Sequence, residues 1–434
     1  MNLIQGKLVD ASQTDQYIPD LQRLINKTLN KPPLPPETVI QACEAMLATL
    51  PDEAVLPIIE SLGMGSAQAQ AQLANLRLMF SRPYLEQRLR IELGKGYGSL
   101  QTTTPLGESN PVEEQIYPLG VLFHIAAGNM DGLPAYSVIE GLLAGNINLL
   151  KLPAVDGGLT VMLLQKLCAL TPALAEYIYV FELSSKGTTS IHALMTLADA
   201  AVVWGGDEAV SAIRKTAPPN TKIIEWGHKL SFAYVTKAGA TDRMLEDLAH
   251  HICLTNQLLC SSCQGIFLDM DSREEAADFC RIFLSILEKV SSQYPEIPLS
   301  AQAQNTLQLQ ARELEKVYGD AAEIYKGMNA SLILEPDSDL TPSLQFRNLW
   351  VKILPQDELV AGLHPYKNHL QTVALLCDEQ ERENLRNKLW RAGVVRISGG
   401  REMSQSYCGA AHDGDYALRR YTRIVAAHRL ALAP

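Results

Sequence analysis

The chain has 434 residues, 47% of them hydrophobic, and a mean hydropathy near zero, which is enough for about two globular domains with large cores. A formal net charge of −11 excludes a general nucleic-acid binder, because no basic field would draw phosphates in. The longest apolar runs, such as Leu142–Leu152, are too short to span a bilayer, and Gly145, Asn146 and Asn148 break them.

Eight cysteines are scattered at 43, 168, 253, 260, 263, 280, 377 and 408, without framework spacing. The first twenty residues carry Gln5, Lys7, Asp10 and Asp15 and lack the apolar core of a secretory signal. No second Cys-x-x-Cys and no Cys/His set at zinc spacing occurs, so a structural metal is not expected. These features predict a cytoplasmic protein with reduced thiols.

Residues 1–110 read as a mostly helical region. Thr38–Leu50, Glu53–Leu62, Ala67–Leu78 and Arg82–Leu93 each carry a helical spread of apolar residues. The Pro-rich 31–36 segment, Pro51 and Gly63/Gly65 separate them, and Gly94–Pro111 reads as a connecting loop. From Tyr117 the texture becomes alternating. Strands are predicted near 118–127, 146–151, 177–183 and 200–204, with helices at 133–144, 155–170, 189–197 and 207–214. That alternation predicts a parallel sheet with helices on both faces. The turn Gly205-Gly206, after a strand and before a helix, suits a nucleotide phosphate, although a plain strand–turn–helix reads the same way.

Glu225 closes an apolar strand ahead of a glycine turn and a second strand. Next, the run Met244–Leu254 is helical in pattern and passes through a small polar turn into the strand-like Gly265–Leu268. The turn holds Cys260 and Cys263. Three readings stand here: Cys260 as a nucleophile, the two thiols as a redox or metal pair, or both as inert core residues. A second α/β set follows to residue 398. The tail 399–434 is loop-rich and ends in a strand-like run at 421–427.

Several segments carry a resemblance. Pro118-x-Gly-Val, Gly128-Asn129 and Leu149-Leu-Lys151 come first, followed by Val202-Val-Trp-Gly205-Gly206. Glu225-x-Gly-x-Lys-x-Ser and Asn256-Gln-x-x-Cys260-Ser-Ser-x-Gln264 come next, then Arg391-Ala-Gly-Val-Val-Arg-Ile and Tyr421-Thr-Arg-Ile-Val. In order and spacing they resemble the aldehyde dehydrogenase superfamily, and within it the long-chain acyl-CoA reductases of the bacterial bioluminescence type. The match runs from about Tyr117 to Ala427, close to three quarters of the chain.

The resemblance implies an aldehyde-dehydrogenase-like α/β fold with two Rossmann-like parallel-sheet domains and a mostly helical N-terminal region. Domains are expected at 1–110, packing on the cofactor domain, at 111–229 for NAD(P) binding, and at 230–398 for catalysis. The tail at 399–434 would be an oligomerisation element. Cys260 would be the nucleophile, Asn129 an oxyanion donor and Glu225 a general base or proton relay. Lys151, Gly205 and Gly206 would bind the cofactor, and Cys263 is incidental. Ala154 stands where the superfamily often has a ribose-binding glutamate, which favours NADPH over NADH. The superfamily's Glu-x-Phe is replaced around Gln345-Phe346. His412, in a segment resembling the family's tail, is either a proton donor, a phosphate ligand or a structural residue.

The implied reaction is reduction of a long-chain acyl-CoA, or an acyl carrier, to the aldehyde through a Cys260 thioester. An aldehyde dehydrogenase working toward acid and a thiol acyltransferase are the alternatives. A homodimer or tetramer is expected, with an acyl-protein synthetase or acyltransferase as a possible partner.

Overall fold

The computed structural model describes residues 1–61, 66–94, 97–107, 110–126, 132–153, 157–184, 187–315 and 322–428. The chain divides into two units. One comprises Met1–Gly227 with Tyr407–Pro434, the other His228–Ser406.

In the first unit a seven-stranded sheet runs in the order Lys7–Val9, Asn2–Ile4, Ile178–Phe181, Ile147–Lys151, Val121–Ile125, Ala200–Trp204, Lys222–Trp226. The last five strands are parallel, and the first two form a hairpin on the edge. Every residue of Ile147–Lys151 and Ile178–Phe181 is buried, as expected for parallel strands covered on both faces. In chain order the parallel strands stand 3-2-1-4-5, so the order reverses between Val121–Ile125 and Ala200–Trp204. Ligands in open α/β sheets bind outside the carboxyl ends of the strands at that reversal.

The N-terminal helices complete this unit. Helix Pro36–Thr49 buries Val39, Ile40, Cys43 and Met46 in the same core as the sheet. Helix Arg82–Leu93 adds Leu85 and a buried ionic cluster, in which Arg88 contacts both Glu92 and Glu140. The hairpin at 2–9 escaped the helical reading of this region. Its strands are three residues long, too short for a period to show, and its turn is formed by Gln5 and Gly6 at φ 48° and 74°. A three-stranded antiparallel sheet joins Thr422–His428, Val112–Pro118 and Gln101–Thr103. The last of these lies within the stretch expected to be a loop. It is exposed throughout and is made a strand by its partner rather than by its own pattern.

The second unit has its own seven-stranded sheet, ordered Glu323–Lys326, Ser331–Leu334, Asn348–Ile353, Cys263–Asp269, Leu230–Thr236, Leu370–Leu376, Arg396–Ser398. All pairs are parallel except the first. Helices Asp242–Thr255 and Arg273–Ser291 bury Leu248, Ile252, Phe283 and Leu287 against one face of it. At Gly265 the indole of Trp350 occupies the space a Cβ would need, so only glycine fits beside it. Among the described residues no helix is long and apolar enough to cross a membrane.

Candidate active site

Cys260 stands in the turn between helix Asp242–Thr255 and strand Cys263–Asp269, and its side chain is exposed. The helix ends at Asn256, whose left-handed conformation (φ 45°, ψ 25°) closes it through an N–H bond to the Ile252 carbonyl. Gln257 is left-handed too, at φ 62°. Non-glycine residues enter this region at a cost of roughly 1–2 kcal/mol each, and persist only where the surroundings enforce it.

The enforcement is visible. The Gln257 side-chain amide donates to Ser343 Oγ at 2.9 Å and to the Asn348 carbonyl at 3.2 Å, while Gln264 Nε2 donates to the Gln257 carbonyl at 3.1 Å. Beyond the turn, Leu259 N–H donates to Ser262 Oγ at 3.0 Å, and Ser262 N–H to the Leu259 carbonyl at 3.0 Å. Ser231 Oγ donates to the Cys260 carbonyl at 2.7 Å. Ser261 Oγ lies 2.8 Å from Ser404 Oγ. The backbone around Cys260 is thus fixed from several sides, while the residue is exposed.

Cys263 is different. It is fully buried, its thiol donates to the Gly265 carbonyl at 3.3 Å, and burial pushes its pKa up to about 12. A thiol held protonated this way is a poor nucleophile and a poor metal ligand. All eight cysteines are thiols, and among the described residues no group of three or more His, Cys, Asp or Glu is placed to hold a metal.

In the first unit the expected cofactor residues share one edge of the sheet. Lys151 pairs in register with Ile125, Ile125 with Val203, and Val203 with Glu225, so they form one row across four strands near their carboxyl ends. Gly205 and Gly206 follow directly, beside the reversal of strand order. Lys151 is 8% exposed, and its ammonium donates to the Leu152 carbonyl at 3.2 Å. Desolvation lowers its pKa, and no ion pair to it occurs among the described residues. A desolvated ammonium at the carboxyl end of a strand fits a ribose hydroxyl or a phosphate oxygen.

The glycine turn fits less simply. A Cβ on Gly206 would meet open space, whereas one on Gly205 would press on Ala209 Cβ at 3.1 Å. Gly205 therefore serves the close approach of helix Asp207–Thr216. That helix opens with Asp207 and Glu208, which already offset its dipole and would repel a phosphate placed there.

Glu225 is half exposed, and Arg214 grips its carboxylate through two nitrogens at 2.9 Å and 3.2 Å. Glu225 and Cys260 belong to different units, since the motif joining Glu225 to Ser231 crosses the boundary at Gly227. His412 sits in the first unit with its ring 5.2 Å from Trp204 and 5.1 Å from Trp226, the two indoles stacking at 5.4 Å. Asn129 and Ala154 lie outside the described residues. Sequence reasoning missed Ser231, Gln257, Ser343 and Arg347. Ser231 and Gln257 had a signal, as members of the Glu225-x-Gly-x-Lys-x-Ser and Asn256-Gln-x-x-Cys260 segments, whereas Ser343 and Arg347 had none.

A family model described as acyl-CoA reductase (LuxC) matches residues 37–424. The long-chain acyl-protein thioester reductase of Vibrio harveyi is 25% identical over 323 residues, covering 72% of this chain and 65% of that protein. Its namesake in Aliivibrio fischeri is 25% identical over 322 residues, covering 72% and 64% respectively. The chain thus spans just under two thirds of the length of these relatives. Among solved structures, methylmalonate-semialdehyde dehydrogenase (DddC) from Oceanimonas doudoroffii matches with a TM-score of 0.73 at 15% identity, over 100% of this chain and 98% of that one. At that identity the likeness shows the fold: aldehyde-dehydrogenase-like, with two mostly parallel sheets, as the motif order implied.

Proposed function

The chain belongs to the acyl-CoA reductase (LuxC) family, and from that premise we propose that it reduces a fatty acyl thioester to the aldehyde, with Cys260 as the acyl-accepting nucleophile. The observation that carries this reading is the exposed thiol of Cys260 on a turn whose backbone is bonded in place on every side. The relatives are named for acyl-protein thioesters. We take the donor to be a thioester carried by coenzyme A or by a protein.

In the first half-reaction the Cys260 thiolate attacks the acyl carbon. The bond to the donor sulfur breaks, the donor thiol leaves with a proton, and the acyl group remains on Cys260. The Cys260 N–H and the Asn129 side-chain amide would hold the oxyanion, and loss of one such donor lowers rates by roughly 10²–10³. NADPH, when bound, supplies the hydride that reduces the acyl carbonyl. Lys151 would hold its ribose or phosphate, with Gly205 and Gly206 bordering the nucleotide. Departure of the aldehyde returns the Cys260 thiolate.

Glu225 supports reduction over hydrolysis. A hydrolytic base must take a proton from water, and here the carboxylate is engaged by Arg214. A relay role for Glu225 would require that it leave this partner. We further infer a cytoplasmic enzyme, where a nucleophilic thiol stays reduced. Among the described residues, strand Thr422–His428 pairs along one edge only, with Val112–Pro118, and carries the exposed Ile424; it would serve pairing between copies of the chain.

The test is NADPH consumption with a series of saturated acyl-CoAs, comparing wild type, Cys260→Ala and Cys263→Ala. The expected result is aldehyde and free CoA from wild type and Cys263→Ala, and none from Cys260→Ala. NADP⁺ reduction with aldehyde, without the reverse reaction from any acyl-CoA, would point to a dehydrogenase instead.

A further inference from the structure

The second unit contains a run of three consecutive non-glycine residues at positive φ: Gln345 at 63°, Phe346 at 47° and Arg347 at 67°. It packs on the other left-handed pair, Asn256 and Gln257. Phe346 N–H donates to the Asn256 carbonyl at 3.0 Å, and Arg347 Nε donates to Asn256 Oδ1 at 3.3 Å. The two strained turns hold each other.

Arg347 is the centre of this arrangement. It is 1% exposed, and no carboxylate forms an ion pair with it among the described residues. Its guanidinium instead reaches the Ser291 carbonyl at 3.4 Å and the Pro295 carbonyl at 2.8 Å. Ser291 ends helix Arg273–Ser291, where the negative end of the dipole favours a cation. A rigid planar fork anchored on that helix end fixes the third acceptor, Asn256 Oδ1, in space. Only three residues separate Asn256 from Cys260. Gln345 and Phe346 are themselves pinned, since Asn348 Nδ2 donates to their carbonyls at 2.9 Å and 2.8 Å.

We propose that Arg347 is a positioning residue for the nucleophile: by tying the Asn256 side chain to the Ser291 and Pro295 carbonyls it anchors the 256–257 turn in place and so sets where the Cys260 thiol stands. The proposal rests on the reading of Cys260 as the acyl-accepting thiol. Strained backbone of this kind is maintained where a site needs one fixed geometry. Arg347 acts through Asn256 and touches no reacting atom.

Asn256→Gly separates positioning from folding. Glycine adopts the left-handed conformation without strain, so the helix end survives while the acceptor for Arg347 is lost. Three quantities are read on the full chain: the rate of Cys260 alkylation by iodoacetamide, followed by peptide mass; kcat and KM with the best acyl-CoA; and Tm. In Asn256→Gly the expected result is an alkylation rate changed by about fivefold or more, kcat lowered by about tenfold, KM within about twofold, and Tm lowered by only a few degrees, since the buried guanidinium loses one of its three acceptors. Asn256→Asp restores an acceptor for the guanidinium and should return both rates to within about threefold of wild type.

Wild-type alkylation and kcat in Asn256→Gly would overturn the proposal while leaving Cys260 as nucleophile. Turnover retained in Cys260→Ala would overturn the underlying reading and this proposal with it. Arg347→Lys keeps the charge and loses the fork, and where it folds it should reproduce the Asn256→Gly pattern. A folded Arg347→Lys with wild-type kcat would count against the proposal.

Discussion

The Ser231 hydroxyl donates to the carbonyl oxygen of Cys260 at 2.7 Å and accepts from the Thr372 amide at 3.1 Å. One small side chain thereby joins the Cys260 turn to two neighbouring strands of its sheet. Ser231→Ala leaves a buried amide and a carbonyl each short of a partner, which should lower stability by about 1–3 kcal/mol. If the serine also orients the turn, kcat should fall by about tenfold with KM nearly unchanged. Thermal unfolding beside steady-state kinetics separates the two effects. A lowered Tm with unaltered kcat would reduce Ser231 to a structural link.

Cys263 gives the contrasting prediction. Its thiol is buried and bonded within its own strand, so Cys263→Ala removes packing and little else. The expected cost is about 1 kcal/mol of stability, with activity within about twofold of wild type. Chemical denaturation and acyl-CoA turnover check this together. Loss of activity in a folded Cys263→Ala would restore the paired-thiol reading of Cys260 and Cys263.

The pairing of Arg214 with Glu225 is half exposed, so breaking it should change stability by under about 1 kcal/mol. Its effect on products should be larger. If the proposed acyl-enzyme at Cys260 forms within reach of Glu225, releasing the carboxylate in Arg214→Ala should let it activate water, raising the ratio of fatty acid to aldehyde several-fold. Adding Glu225→Gln in that background should remove the gain. Chromatographic analysis of products decides the matter, and an unchanged ratio in Arg214→Ala would mean that Glu225 has no reach to the acyl group.

What the sequence made legible was the part set by local pattern. Apolar runs such as Ile147–Lys151 and Leu370–Leu376 announce buried parallel strands because both faces are covered. The turn holding Cys260 stood out because a helical period stops and a strand-like run begins. The supports of that turn did not stand out. Positive φ is ordinarily signalled by glycine, yet Gln345, Phe346 and Arg347 adopt it through contacts with residues about ninety positions earlier in the chain. Ser231 and Cys260 meet only because their strands are parallel neighbours. Likewise Arg214 reaches Glu225 from a helix to the adjoining strand, a pairing that no spacing rule encodes.

The buried cluster of the first unit makes stability depend on pH. Arg88 serves two buried carboxylates, Glu92 and Glu140, so one cation faces two potential anions. Burial pushes the Glu140 pKa up to about 7, against an attraction from Arg88 that lowers it and a repulsion from Glu92 that raises it. A carboxyl whose folded pKa lies above its unfolded value stabilises fully below the unfolded value, near 4.5, and that stability is lost as pH rises through about 7. The loss attributable to Glu140 is on the order of 3 kcal/mol. His124 and His251, each held down to about 4 by burial, act oppositely, contributing stability above their unfolded value that is lost as pH falls toward about 4. The wild-type profile alone therefore mixes the two. Glu140→Gln keeps an acceptor for Arg88 and removes this titrating group from the cluster. Denaturation curves at pH 5 and pH 8 should show the variant gaining on wild type by about 2.5 kcal/mol between them, with no such gain if Glu140 is already ionised at pH 5.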